Sequence, residues 1–161
     1  MRRAEISVDD PRTGDVRKLL ERHLEFARSH TPPDDVHALE VDDLLDRAVT
    51  FFSFRLDGEL LAVGALKQLD GQHGELKSMH TAHAARGRGI GRAMVDHLIG
   101  AARQRGLTRM SLETGSMHAF APARSLYARA GFTPCGPFGS YHPSGTSVFM
   151  TMELDGQQPS A

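Results

Sequence analysis

Arg86-Gly87-Arg88-Gly89-Ile90-Gly91-Arg92-Ala93 sets three glycines among arginines directly ahead of an apolar helical pattern. The stretch predicts a turn that feeds a helix N-terminus. A glycine has no Cβ, so its backbone can take φ > 0 and can approach a ligand closely. The helix start adds N–H groups without intrahelical partners and a partial positive charge. Arg86, Arg88 and Arg92 add full charges, and the sum is a cradle for phosphate or pyrophosphate. The plainer reading is a glycine-rich turn with solvated arginines. Two common phosphate loops are excluded by spacing. A Walker loop would need Lys-Ser/Thr after the last glycine, where Arg92-Ala93 stands, and a dinucleotide fingerprint would need a glycine at Arg92.

Downstream, Ile90, Ala93, Met94, His97, Leu98 and Ala101 repeat at helical spacing, predicting a helix over 90–104 with Gly106 as its stop. A strand over 107–114 and a helix over 119–130, ended by Gly131, come next. The last strands are expected over 132–138 and 147–154. Upstream, Glu75 to Ala82 reads as the strand that delivers the chain to the loop. Simple alternation puts Glu75, Lys77, Met79 and Thr81 on one face, and Leu76, Ser78 and His80 on the other. Strands over 51–56 and 60–69 flank Asp57-Gly58, a hairpin signal. A first strand over 4–8 precedes a helix over 15–29, which Thr31-Pro32-Pro33 stops. Val41 to Arg47 is expected as a second, shorter helix. The order β-α-α-β-β-β-α-β-α-β-β predicts an α/β chain with a mixed sheet, one domain over 1–154, and a disordered polar tail over 155–161.

Composition narrows the function. The 161 residues carry a net charge of −1, so bulk charge gives no case for nucleic acid or membrane. No apolar run approaches the ~18 residues of a span. Cys135 is the only cysteine, which excludes an internal disulfide and a cysteine-based metal cluster. The N-terminus lacks the apolar core of a signal peptide, so the expected location is cytoplasmic. His80 and His83 lack the i, i+4 helical geometry of a zincin, and no metal is expected. Ser111, Ser116 and Ser125 have no Gly-x-Ser-x-Gly elbow, which argues against serine hydrolysis.

Four pieces at matching spacing together resemble the GNAT family of N-acetyltransferases: the strand Gly74 to Thr81, the loop Arg86 to Ala93, Leu112-Glu113-Thr114, and Ala123-Arg124-Ser125-Leu126-Tyr127-Ala128-Arg129-Ala130-Gly131-Phe132. The clear match runs over about residues 50–154. With the segment Cys135 to Tyr141, these motifs are similar to those of a bacterial subgroup of small N-acetyltransferases. The resemblance implies the acyl-CoA N-acyltransferase fold, acetyl-CoA as co-substrate and a primary amine as acceptor. It also implies that Arg86, Gly87, Arg88, Gly89, Ile90, Gly91 and Arg92 hold the pyrophosphate. Backbone groups around Met79, His80 and Thr81 would hold the acetyl carbonyl and the pantetheine amides. A position that often carries Asn for the pantetheine arm is Phe120 here, so either another group such as Ser116 or Ser125 replaces that contact or the arm is held by backbone alone.

Acetyl transfer to an amine needs a base for the amine and a proton for the leaving thiolate. The resemblance makes Glu75 the candidate base, with Glu113 its rival, and Tyr127 the candidate acid. The alternatives for Glu75 and Tyr127 are a Glu75–Lys77 ion pair and a tyrosine packed at a helix–sheet interface. A small-molecule amine is the expected acceptor, and a homodimer is compatible with the resemblance. A non-catalytic acyl-CoA sensor and a protein acetyltransferase on the same fold stay open.

Overall fold

The computed structural model describes residues 3–154, so the expected tail over 155–161 lies outside the described residues. Seven strands form one mixed sheet: β1 Ala4–Val8, β2 Val49–Leu56, β3 Glu59–Gln68, β4 His73–Thr81, β5 Arg109–Gly115, β6 Thr133–Cys135 and β7 Ser147–Glu153. Their order across the sheet is β1-β2-β3-β4-β5-β7-β6. Every pair is antiparallel except β4 and β5, which are parallel and joined by the helix α2, Ile90–Gln104. That connection follows from geometry, because a parallel pair needs a long crossover.

The helices α1, Gly14–His30, and α2 pack on opposite faces of the sheet. Val16, Leu19 and Leu20 of α1 bury against Phe51, Val63 and Ala65. Met94, Val95, Leu98 and Ile99 of α2 bury against Leu66, Leu76, Met110 and Leu112, joined by Tyr127 and Phe132. Each such side chain contributes about 1.5–3 kcal/mol by leaving water, so these two stripes hold the layers in place. Gly106, at φ 76°, ends α2 as expected, and the N–H of Leu107 returns to the carbonyl of Ala102 at 3.1 Å. Asp57 and Gly58 both take positive φ in the β2–β3 hairpin, as the tight turn requires.

Three expectations need correction. The second helix over 41–47 is only a 3-10 turn, Asp43–Leu45. Carboxylates there take up backbone donors, with Asp43 accepting from Glu40 N–H at 3.2 Å and Asp46 from Ala48 N–H at 2.8 Å. Seven residues with a single buried anchor, Leu44, do not offset the cost of helix nucleation. The strand expected over 132–138 stops at Cys135. Pro137 cannot donate to a ladder, and Phe138 turns inward to pack on Tyr141 and Phe149.

The third correction bears on function. β4 does not alternate throughout. Val63 pairs with His80 and Ala65 with Lys77, so Ser78 and Met79 together oppose Gly64. This is a β-bulge, with Ser78 at φ 56°. Met79 therefore joins Leu76 on the α2 face, while His80 joins Glu75 and Lys77 on the α1 face. Gly64 makes the bulge fit, since a Cβ there would lie 2.9 Å from both Met79 and Met94 side-chain atoms. Gly64→Ala is expected to cost about 1–3 kcal/mol by overpacking. A thermal melt of the variant checks this, and an unchanged melting temperature would show that the two methionines yield freely.

Candidate active site

β4 and β5 pair only at His73–Arg109, Gly74–Met110 and Glu75–Ser111. Beyond Glu75 they separate, because the bulge bends β4 away while β5 runs straight on against β7. The gap opens into a cavity of about 460 Å³ that runs from the glycine loop to the inner ends of both strands.

At one end lies the cradle. Gly89 takes φ 79° and caps α2, and the first helical bond runs from Ala93 N–H to its carbonyl at 3.1 Å. The N–H groups of Ile90, Gly91 and Arg92 thus start the helix without intrahelical partners. Gly91 lets α2 approach its neighbours, since a Cβ there would lie 3.2 Å from Leu126 and 3.5 Å from the Thr81 hydroxyl. Arg86, Gly87, Gly89, Ile90, Gly91 and Arg92 all line the cavity, as do Met79, His80 and Thr81. Arg129, not a candidate site residue from the sequence, lines it too. It comes from the C-terminal turn of α3, Ala121–Ala130.

Arg88, Ser116 and Ser125 do not line the cavity. The Ser116 hydroxyl donates to the Gly145 carbonyl at 2.7 Å, and Ser125 accepts from Arg129 at 2.6 Å. Phe120 fills the wall in their stead. Its ring lies over Gly115, where a Cβ would come within 2.3 Å of it, and meets the Phe26 ring edge-on at 5.2 Å.

The other end is polar and buried. Glu75 is 4% exposed, and its Oε2 accepts from Lys77 Nζ at 3.0 Å and from the Tyr141 hydroxyl. Lys77 Nζ also donates to the Tyr141 oxygen at 2.8 Å. Glu75 is therefore held in an ion pair. Tyr141, on the β6–β7 loop, was not a candidate from sequence, because a loop residue carries no periodicity to mark where it points. Burial, then the Glu75 charge, pushes its phenol above the ordinary value. His37 meets the Tyr141 ring edge-on at 4.9 Å, and Asp35 accepts hydrogen bonds from Ser144 and Thr146. These contacts tie the α1–β2 loop to the β6–β7 loop over this end of the cavity.

Glu113 lines the same cavity, and its carboxylate accepts no hydrogen bond among the described residues. Burial first, with the charges of Glu75 and Asp35 behind it, pushes its carboxyl up to about 7. The nearby Ser147 hydroxyl and the Lys77 charge pull the other way without cancelling the rise. Tyr127 of α3 is 6% exposed and reaches the cavity from the core, where it packs against Phe132. Burial, then the Glu113 charge, holds its phenol above the ordinary range. His80 meets His23 of α1, Nδ1 to Nδ1 at 3.3 Å. Burial, with positive charges nearby, keeps both rings neutral, at about 3 and about 4. His23 sits on the apolar stripe of α1, and a polar residue on such a stripe was the available signal. The Ser78 hydroxyl lines the cavity, fully enclosed, with no hydrogen-bond partner among the described residues.

Comparison with known proteins agrees with this architecture. Residues 14–132 match the Acetyltransferase (GNAT) family. The chain is 42% identical over 149 residues to the N-acetyltransferase YsnE of Bacillus subtilis, covering 92% of this chain and 99% of that protein. It is 38% identical over 149 residues to the N-acetyltransferase YedL of Escherichia coli, covering 92% and 94%. A GNAT family acetyltransferase from Elizabethkingia anophelis, solved with acetyl-CoA bound, shares the fold at a TM-score of 0.68 and 17% identity, covering 93% and 97%. The chain belongs to the GNAT acetyltransferase family and is an N-acetyltransferase.

Proposed function

We propose that the protein transfers the acetyl group of acetyl-CoA to the primary amine of a small molecule. The observation that carries this reading is the single cavity between β4 and β5, with a phosphate cradle at one end and an uncompensated carboxyl, Glu113, at the other. Its residues suit an acyl-CoA chain. The cradle takes a pyrophosphate, the enclosed and unpartnered Ser78 hydroxyl calls for a polar group, and beyond Glu75 the β5-facing edge of β4 is open to an extended arm. A cavity of about 460 Å³ is of the size that suits small-molecule ligands.

Acetyl-CoA supplies a thioester carbonyl. The chain supplies the rest. An alkyl amine arrives protonated, with a pKa near that of lysine, ~10.4. Glu113, with its pKa near 7, is mostly ionised at pH 8 and accepts the proton. Glu75 is the weaker candidate for this step, because its Oε2 is already engaged by Lys77 and Tyr141. Backbone N–H groups beyond the bulge would hold the carbonyl oxygen as it gains charge. The hydroxyl of Tyr127, which lines the same cavity, would serve the departing thiolate.

Gly89→Val tests the cradle. Valine adds a side chain where the backbone must approach a phosphate, and it disfavours φ 79°. Affinity for acetyl-CoA, measured by calorimetry, is expected to fall by roughly tenfold or more. A folded variant with wild-type affinity would remove the cradle from the reading. Release of free CoA thiol on adding primary amines tests the reaction itself.

A further inference from the structure

We propose that the acceptor carries a second cationic group beside the amine that is acetylated, as a short aliphatic diamine does, and that Glu75 Oε1 receives it. This rests on the acetyltransferase reading of the cavity. The Glu75 side chain is 5% exposed, and both of its hydrogen bonds converge on Oε2. Oε1 accepts no hydrogen bond among the described residues, and Glu75 lines the cavity. Oε1 keeps contact with the cavity rather than being sealed in protein, so a carboxylate oxygen free of protein donors is there to receive a ligand's donor.

Charge points the same way. Asp35, Glu75 and Glu113 line this end of the cavity, and Lys77 is the cation among them. Burial and the Lys77 charge hold His37 below its ordinary value, against the pull of Asp35 and Glu75. One ammonium at Glu113 leaves negative charge uncompensated. An acceptor bearing a carboxylate fits badly, because Lys77 is already paired and the other charged neighbours, Asp35 and Glu113, are anions. Spacing sets the length. Glu75 pairs with Ser111, so Glu113 lies one strand across and two residues along. Strand geometry then places the two glutamates roughly 8 Å apart at Cα, a span suited to about four to six carbons between nitrogens.

The test is calorimetry on the full chain with CoA present at pH 8, comparing 1,5-diaminopentane with pentylamine. The diamine is expected to bind about tenfold tighter or more. In Glu75→Gln that ratio is expected to fall to about one, with Tyr141→Phe as a control that disturbs Oε2 and spares Oε1. Equal affinities in the wild type, or a ratio undiminished in Glu75→Gln, would overturn the proposal. If Glu75→Gln fails to fold, a series of wild-type diamines decides: an optimum at four to six carbons supports the subsite, and a flat series overturns it. The reaction is read separately. Preferential diamine binding without thiol release would keep the subsite and sink the acetyltransferase reading. Thiol release with monoamines and diamines alike, at equal affinity, would do the reverse.

Discussion

Glu113→Gln is expected to lower kcat/KM by roughly 10²–10⁴-fold, the loss usual for a general base. The wild-type profile should carry an acidic limb near pH 7, because burial holds the carboxyl up at about 7 and only its ionised form takes a proton. In the glutamine variant that limb should vanish, and Glu75→Gln should leave it in place. A limb that persists in Glu113→Gln would belong to the amine itself. Stability gives an independent readout with a definite sign. The folded-state pKa lies above the ordinary value of 4.5. The folded protein therefore loses stability as pH rises from about 4.5 to about 7, and carries the full penalty above that. Glutamine removes the penalty. The variant should thus melt higher than wild type at pH 8, and the difference should shrink toward zero near pH 4. Partial solvent contact reduces the size of this effect, and each kcal/mol corresponds to about 2–4 °C for a chain of this length. A variant that melts lower at pH 8 would mean that Glu113 is compensated, and the case for it as base would fall with that result.

How far the sequence discloses this site depends on the kind of residue. The glycine loop was legible because its function is in the backbone, and backbone demands leave glycines. α2 was legible to the residue, since Met94, Leu98 and Ala101 keep one period and Gly106 ends it. β4 was half legible. Its position followed from the loop, but a bulge at Ser78 adds one residue, and nothing in Ser78-Met79 announces it. That single insertion moves His80 onto the face of Glu75 and Lys77, and so creates the contact with His23. The roles of the two glutamates were not legible at all. Glu75 and Glu113 are equally acidic as letters. What separates them is Tyr141, 66 positions from Glu75, which turns one carboxylate into part of a closed cluster. The strand expected over 132–138 ends at Cys135, because Pro137 denies it a ladder, and Phe138 packs against Tyr141 instead.

Tyr127→Phe is expected to lower kcat by roughly 10²-fold while leaving acetyl-CoA affinity nearly unchanged. The ring packs in the core against Phe132 and survives the change. The hydroxyl forms no side-chain hydrogen bond among the described residues, so its removal should shift stability by no more than about 1 kcal/mol. A loss of turnover would then be chemical. The size of the loss follows from acidity. An ordinary thiolate has a pKa near 8.5, and burial holds this phenol above the usual tyrosine value. Full proton transfer from the phenol to sulfur is therefore uphill. The hydroxyl stabilises the developing thiolate by a charge-assisted hydrogen bond, and solvent completes the protonation. That places the effect at the low end of the general-acid range. It also predicts that the pH profile keeps its shape in Tyr127→Phe and drops as a whole, since this phenol stays protonated across the working range. Two outcomes would sink the role. A kcat within about threefold of wild type would make Tyr127 a packing residue only. A basic limb below pH 10 that disappears in the variant would mean that the phenol titrates in the working range, contrary to its burial.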